Sequence, residues 1–210
     1  MTKKEIEKAI IYPLFSKVVY TLNTVPGEKE MELILKESKN KKYENTSKAS
    51  SMSEDIYVLD SKNLKSLKQI LEQQVKNYTV SFLNYKNNFQ ITTSWFTNTK
   101  KDGYSEFHYH PNAMFSGCFY IKTNPKTDKI SFSNFNTPTW LLEPKEHNIY
   151  NSREMNFEVY PGFLILFPAE MYHRVKINVS SEERISLAFN VIPVEKFGYK
   201  DSTLNIIKCK

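Results

Sequence analysis

The sequence predicts a mainly β protein of the α+β type, a jelly roll of two sheets with N-terminal helices packed on one sheet. Two segments with helical spacing of apolar residues precede position 88. From Phe89 onward the pattern changes to a period of two, is rich in aromatic residues, and is broken by turn signals such as Asn124-Pro125 and Pro161-Gly162. A chain of 210 residues fits one domain.

The N-terminal region contains the helical patterns. Apolar runs at 10–15 and 18–20 predict short strands, and 28–37 predicts a first helix. The almost entirely polar stretch 38–54 predicts a flexible excursion within the domain. Ser61 can cap a second helix, whose apolar stripe we expect to pack on a sheet. That stripe consists of Leu64, Leu67, Leu71, Val75 and Tyr78.

Short strands dominate the rest of the chain. We therefore divide the single domain into a helical support region (1–88), a jelly-roll core (89–193) and a C-terminal tail (194–210). The predicted strands are 90–96, 106–110, 117–122, 129–133, 156–160, 163–167, 173–177 and 184–191.

Composition narrows the class of protein. With 40% hydrophobic and 25% charged residues, the chain reads as soluble and globular. It lacks an apolar run of roughly 20 residues and has a polar N-terminus, which argues against membrane insertion and a signal peptide. Two cysteines are too few for a disulfide framework, so we expect a cytoplasmic protein. The net charge of +6 comes almost entirely from dispersed lysines, which argues against a nucleic-acid partner.

Three histidines stand at positions that suit a shared site. His108 and His110 are two residues apart on a predicted strand, so their side chains face the same way. His173 alternates with Val175 and Ile177 and so faces inward, where an unpaired ring would be costly. Together the three imidazoles could converge on one metal ion.

The last predicted strand has two unlike faces. One face is wholly apolar and is expected to meet the helices: Ile185, Leu187, Phe189 and Val191. The other face contains Arg184, Ser186, Ala188 and Asn190, and either meets water or lines a cavity. If it lines a cavity, the Arg184 guanidinium needs an anion, and its planar fork with Ser186 beside it suits a carboxylate.

These motifs resemble a known family. The runs 108–112 and 116–120 resemble the first half of a 2-oxoglutarate- and Fe(II)-dependent oxygenase family of bacteria and their viruses, within the prolyl-hydroxylase-like superfamily. The runs 161–168 and 184–190, with His173 between them, resemble its second half. The opening 13–15 and the Ser94-Trp95 strand are similar as well, so the resemblance covers nearly the whole chain.

The resemblance implies a fold, cofactors and site residues. The fold is the double-stranded β-helix, and the cofactors are Fe(II), 2-oxoglutarate and O₂. It implies His108 and His173 as iron ligands, Arg184 with Ser186 as the clamp for the distal carboxylate of 2-oxoglutarate, and Tyr120 as a hydrogen-bond partner of that cosubstrate.

His110 is a departure from the wider superfamily, which has a carboxylate at that position. Either His110 is the third ligand, or it orients a water or the substrate and leaves a coordination position open. A set of three imidazoles also suits Zn, Cu or Ni, so the residues alone leave the metal undecided.

The implied activity is hydroxylation of a substrate, a small molecule or a protein side chain, with release of succinate and CO₂. One alternative is a cupin-like dioxygenase with three histidines and no 2-oxo acid. The other alternative is a non-catalytic jelly-roll module with a binding or structural role. We expect the long connection 133–156 to select the substrate. Helix-backed jelly rolls often dimerise, so we expect a homodimer, and the resemblance implies that the protein works in a bacterial cell and has a bacterial or a phage gene as its source.

Overall fold

The computed structural model describes residues 10, 12–24, 26–47, 49–135 and 142–206. The helices are α1 (Glu28–Lys39) and α2 (Lys65–Lys76), and α2 continues into a π-helical segment, Asn77–Phe82. Short 3₁₀ turns lie at Val58–Asp60, Lys62–Leu64 and Lys200–Ser202. The strands are β1 (Tyr20–Asn23), β2 (Tyr43–Ser47), β3 (Ser50–Ser53), β4 (Asn88–Thr99), β5 (Phe115–Lys122), β6 (Lys129–Ser133), β7 (Glu154–Glu158), β8 (Phe163–Pro168), β9 (His173–Val175), β10 (Arg184–Phe197) and β11 (Leu204–Ile206).

The strands form two antiparallel sheets. The larger sheet has eight strands in the order β1-β8-β5-β10-β4-β3-β2, and β11 pairs with β10. The smaller sheet has three strands in the order β7-β6-β9. The prediction of a mainly β chain with antiparallel sheets and few helices is therefore confirmed.

The larger core combines both apolar patterns found in the sequence. The stripe of α2 and the apolar face of β10 are buried in one cluster, in which Leu67, Leu71, Leu187 and Phe189 have no exposed surface. Ser61 accepts a hydrogen bond from the Asn63 backbone N–H at 3.3 Å, which starts the helical turn before α2. This burial leaves the opposite face of β10 free to line a cavity.

The N-terminal third differs from the prediction in two places. Among the described residues of 10–19 there is no strand, since β1 begins at Tyr20, and residue 11 lies outside the described residues. The polar stretch 38–54 is not a featureless excursion, because it contains the β2–β3 hairpin, which pairs with β4. Backbone pairing holds these strands without an apolar side-chain pattern. Ser53 helps by accepting a hydrogen bond from the Phe96 backbone N–H at 3.1 Å.

The predicted strand 106–110 is reduced to an isolated bridge. His108 and His173 exchange two backbone hydrogen bonds of 3.0 and 2.9 Å, and the His110 N–H donates to the Ala169 carbonyl at 2.9 Å. Pro111 follows at once and has no N–H to continue a ladder. The segment nevertheless runs beside β9, which brings its histidines to His173.

Two smaller findings complete the fold. The predicted tail 194–210 is partly strand, because β10 extends to Phe197 and β11 pairs back onto it. Within the described ranges, every helix is too short or too polar to cross a membrane.

Candidate metal and cosubstrate site

Three of the four histidines meet at one point, as the sequence predicts. One ring nitrogen from each of His108, His110 and His173 lies within 4.8 Å of the other two. The ring centroids are 4.3 to 5.4 Å apart. The fourth histidine, His147, is exposed and lies outside this cluster. A spacing of this kind lets three imidazoles bind one ion.

Backbone carbonyls fix the tautomer of two of the rings. The His108 Nδ1 lies 2.8 Å from the Glu106 carbonyl oxygen, and the His173 Nδ1 lies 3.0 Å from the Met171 carbonyl oxygen. A carbonyl can only accept a hydrogen bond, so each Nδ1 must carry the proton. Each Nε2 therefore keeps its lone pair, which is the form that binds a metal.

The third ring has a side chain as its partner. The His110 Nδ1 lies 2.7 Å from the Asn190 Oδ1, and the Trp95 ring packs against the imidazole with centroids 5.6 Å apart. Asn190 was placed on the polar face of the last strand by its sequence, but its contact with His110 was not predicted. The alternation of polar and apolar residues along β10 was the sequence signal that could have placed Asn190 in the site.

Two of the three imidazoles, those of His110 and His173, are held in their neutral form. Burial, reinforced by the neighbouring His108 and His110, lowers the pKa of His173 to about 3, and the hydrogen bond with the Met171 carbonyl opposes this shift. Burial also lowers the pKa of His110, with the Asn190 contact opposing and His108 reinforcing that shift. Near pH 7 these two rings are already deprotonated at one nitrogen, so they can bind a metal without first releasing a proton.

This burial predicts an acid-sensitive metal-free protein. The pKa of His173 falls from 6.5 in the unfolded chain to about 3 in the folded one, so the unfolded chain binds more protons between these pH values. The free energy of unfolding should fall as the pH drops through this window, by at most about 1.4 kcal/mol per pH unit for one group. Urea unfolding of metal-free protein between pH 7 and pH 4 measures it. His173→Gln should have the shallower slope, and equal slopes would contradict the assignment.

The histidines line a cavity of about 630 Å³. This volume is typical of sites for small molecules or for single side chains. The polar face of β10 forms its floor with Ser186, Ala188 and Asn190. The remaining walls include Thr46, Ser47, Ser50, Met52, Trp95, Thr97, Tyr109 and Phe167.

One part of the cavity wall was not predicted from the sequence. It comes from the β2–β3 hairpin and the residues after it, such as Met52 and Ile56. None of the described residues of 133–156 lines the cavity, and residues 136–141 lie outside the described ranges. The polar composition of 38–54 gave no apolar signal for the hairpin. The length of the connection 133–156 had instead suggested that this segment selects the substrate.

Arg184 already has an anion. Its guanidinium donates to the Asp128 Oδ1 at 3.0 Å and to the Lys176 carbonyl at 3.2 Å, and both side chains of the ion pair are at most 2% exposed. Ser186 is among the described residues that line the cavity, but Arg184, two positions before it on the same strand, is not. A guanidinium has five N–H donors, so these two contacts leave donors for a further carboxylate.

Tyr120 is the cavity residue whose polar atom lacks a partner. It is 1% exposed, and its hydroxyl has no N or O hydrogen-bond partner among the described residues; the Cys118 thiol is its weakly polar neighbour. Burial raises the Tyr120 pKa well above its usual value, although the charge of Arg184 opposes this. A buried hydroxyl without a strong partner is costly, so it suits a ligand that accepts its proton.

The residues fit both implied cofactors. Three imidazoles can hold a divalent metal, the same cavity is lined by Tyr120 and Ser186, and the buried Arg184 guanidinium lies near the Tyr120 hydroxyl. Ser186 is 2.6 Å from the Thr97 hydroxyl, which fixes its position. Burial raises the pKa of Cys118 to about 11, so this thiol stays protonated and does not compete for metal.

Three solved structures of similar fold are distant in sequence. HygX from Streptomyces hygroscopicus, crystallised with nickel, 2-oxoglutarate and hygromycin B, has a TM-score of 0.61 at 12% identity, covering 92% of this chain and 88% of that one. A prolyl-4-hydroxylase from Pseudomonas putida has a TM-score of 0.57 at 12% identity, covering 83% and 93%. A viral collagen prolyl hydroxylase from Paramecium bursaria Chlorella virus-1 has a TM-score of 0.55 at 12% identity, covering 82% and 94%. The likeness establishes the fold.

The sequence itself matches one family model. Residues 93–190 match the family described as "Putative 2OG-Fe(II) oxygenase". No curated protein sequence matches the chain. The matched segment includes the three clustered histidines, Tyr120, Arg184 and Ser186. The family's name gives its cofactors as Fe(II) and 2-oxoglutarate, with O₂ as the oxidant of an oxygenase. Over residues 93–190 the chain is therefore similar to the Fe(II)- and 2-oxoglutarate-dependent oxygenases, a family of oxidoreductases.

Proposed function

We propose that this protein hydroxylates a C–H bond of a small molecule or a protein side chain, converting 2-oxoglutarate to succinate and CO₂. The observation that carries the proposal is the meeting of one ring nitrogen from each of three imidazoles in a cavity that is also lined by Tyr120, whose hydroxyl lies near the buried Arg184 guanidinium. In fold terms, we interpret the two sheets as a double-stranded β-helix, with α1 and α2 on the outer face of the larger sheet, in a single domain.

His108, His110 and His173 are the proposed metal ligands. Two of the Nε2 lone pairs are set by backbone carbonyls, and burial keeps His110 and His173 neutral. His110 lies as close to the other two rings as a ligand must, which supports ligation over the alternative of orienting a water. When bound, Fe(II) would activate O₂ with 2-oxoglutarate as the co-reductant, so that one oxygen atom of O₂ enters succinate and the other enters the substrate.

Arg184, Ser186 and Tyr120 are the proposed partners of the distal carboxylate of 2-oxoglutarate. Tyr120 donates from its hydroxyl, and Arg184 adds charge near that hydroxyl, where Asp128 and the Lys176 carbonyl hold its orientation. Apolar side chains of the cavity lining, including Ile130 and Phe167, exclude water and strengthen these contacts.

The substrate is proposed to enter between the β2–β3 hairpin and the histidines. Similar folds accept both classes of substrate that we consider: the HygX crystal contains hygromycin B, and the prolyl hydroxylase from Trichoplax adhaerens is in complex with a peptide fragment. Composition supports a cytoplasmic setting for the reaction.

Replacing Tyr120 by phenylalanine should separate binding from stability. The hydroxyl has no strong partner in the protein, so we expect the free energy of unfolding to stay the same or rise slightly. A hydrogen bond to a charged group is worth about 1.5–3 kcal/mol, so the dissociation constant for 2-oxoglutarate should rise at least about tenfold. Calorimetric titration of the metal-loaded protein measures this. Tyr160→Phe, outside the cavity, is the control, and equal affinity in both variants would contradict the proposed role.

One second candidate has support in the structure. The ligand set contains three imidazoles, and Arg184 already has Asp128 as its anion. Both features suit a cupin-like dioxygenase that uses three histidines and no 2-oxo acid. The family match favours the 2-oxoglutarate-dependent reaction.

Turnover of the cosubstrate distinguishes the two. Protein loaded with Fe(II) in air should convert 2-oxoglutarate to succinate with matched CO₂ release, and mass spectrometry of both products measures it. His173→Ala should form neither product. O₂ consumption without succinate would favour the three-histidine dioxygenase, and the absence of both from a protein shown to bind Fe(II) would contradict the proposed function.

A further inference from the structure

We propose that Asn190 is a positioning residue, which holds His110 in the tautomer whose Nε2 faces the metal. The inference rests on the proposed function, because it assigns His110 as a ligand. Its basis is an asymmetry among the three rings. His108 and His173 each donate from Nδ1 to a backbone carbonyl, whereas His110 has only the Asn190 side chain at its Nδ1.

A β-bulge in β4 lies opposite this side chain. Phe189 pairs with Ser94 and Val191 with Ile91, so two residues of β4, Thr92 and Thr93, lie opposite Asn190 alone. Such a β-bulge redirects a side chain and is common beside active sites. On the other side Asn190 stays in regular register with Ser116 of β5. Asn190 is thereby fixed at the cavity floor between two strands.

The hydrogen bonds around the amide agree on its orientation. The Asn190 Oδ1 accepts from the Ser116 hydroxyl at 2.9 Å and lies 2.7 Å from the His110 Nδ1. The Asn190 NH₂ group donates to the Thr93 hydroxyl at 3.1 Å. With oxygen toward the ring, the His110 Nδ1 must carry the proton and its Nε2 is free. In the opposite amide orientation, the Asn190 NH₂ group would donate to the His110 Nδ1. The ring proton would then be on Nε2, and this nitrogen would have no lone pair for a metal.

The consequence is a metal site whose outer partners are all uncharged. Two backbone carbonyls and one amide accept from the three rings, so none of these partners brings the negative charge of the carboxylate that often orients metal-bound histidines. Ser116 and Thr93 hold the amide, the amide holds His110, and His110 completes the triad. Removal of Asn190 should therefore weaken metal binding without touching any ligand.

The first test uses the metal-free wild-type protein. Long-range ¹H–¹⁵N spectra of histidine-labelled protein at pH 7.5 distinguish a protonated ring nitrogen from a bare one. We expect His110 to carry its proton on Nδ1, as His108 and His173 do by their carbonyl contacts. A proton on the His110 Nε2 would overturn the inference, and this reading requires neither a variant nor a bound metal.

The second test compares variants by their affinity for Co(II), a spectroscopic substitute for Fe(II). Asn190→Leu should lose the tautomer preference of His110 and bind Co(II) about 10- to 100-fold more weakly, as outer-partner changes usually do. Asn190→Asp keeps an acceptor at Nδ1 and should stay within a few-fold of wild type. Asn88→Leu, an exposed position at the start of β4, is the matched control.

The outcomes separate this inference from the proposed function. Unchanged Co(II) affinity and an unchanged His110 tautomer in Asn190→Leu would overturn the role of Asn190 while leaving the metal site intact. A wild-type protein that binds Co(II) but never converts 2-oxoglutarate would contradict the proposed function while the tautomer reading stands. If Asn190→Leu does not fold, the His110 tautomer in the wild-type spectrum and the Co(II) affinity of Asn190→Asp still test the role of Asn190.

Discussion

Replacing His173 by alanine should abolish metal loading, whereas replacing His147 should leave it unchanged. His173 is 5% exposed, and its ring forms a triangle with those of His108 and His110, whose centroids are 4.3 and 5.0 Å away from it. Loss of an outer partner already costs metal-bound sites about 10- to 100-fold in affinity, so loss of a ligand should exceed about 100-fold. Calorimetry with Co(II) or anaerobic Fe(II) measures the change.

The control histidine makes this result specific. His147 is exposed in the described part of the 133–156 connection, so its substitution removes an imidazole without altering the cavity. Thermal unfolding of metal-free His173→Ala shows whether the fold survives. A folded His173→Ala protein that binds metal as tightly as His147→Ala would contradict the proposed ligand set.

Removing Arg184 should produce a double loss, of stability and of 2-oxoglutarate binding. Arg184→Leu leaves Asp128 as a buried carboxylate without its cation, and breaking such a pair usually costs about 3–5 kcal/mol. Replacing both residues by leucine removes the unpaired charge, so much of that stability should return. Urea unfolding of the two proteins measures the difference.

The double variant also isolates the role of the guanidinium in binding. The Arg184→Leu/Asp128→Leu protein should bind metal normally but 2-oxoglutarate weakly, because the cation near Tyr120 is gone. Calorimetric titration of the metal-loaded double variant tests this. If it folds and binds 2-oxoglutarate like wild type, Arg184 is only a structural ion pair, and the three-histidine dioxygenase becomes the better account.

Patterns that repeat along one element were readable from the sequence. The stripe of α2 and the alternation of β10 each depend on a fixed residue period, so they predicted which side chains enter the core. The same alternation placed His108 with His110 and turned His173 inward, and the structure brings all three together. Their roles as ligands stay a prediction.

Features that depend on a distant partner were not readable. The β2–β3 hairpin is polar and is held by pairing with β4, so it lacked an apolar signal. Asp128 follows a turn and lies 56 positions from Arg184, and Asn190 lies 80 positions from His110. Only the folded chain shows these contacts. The alternating pattern of 106–110 predicted a strand. Pro111 ends the backbone pairing directly after this pattern, so the folded segment makes only an isolated bridge.

The central claim is that the three histidines hold a metal that 2-oxoglutarate then chelates. Its most direct test is visible absorption of the metal-free protein under anaerobic conditions, titrated first with Fe(II) and then with 2-oxoglutarate. We predict a charge-transfer band that requires both additions, is absent in His173→Ala and persists in His147→Ala. Absence of the band from wild-type protein shown independently to hold both Fe(II) and 2-oxoglutarate would contradict the account.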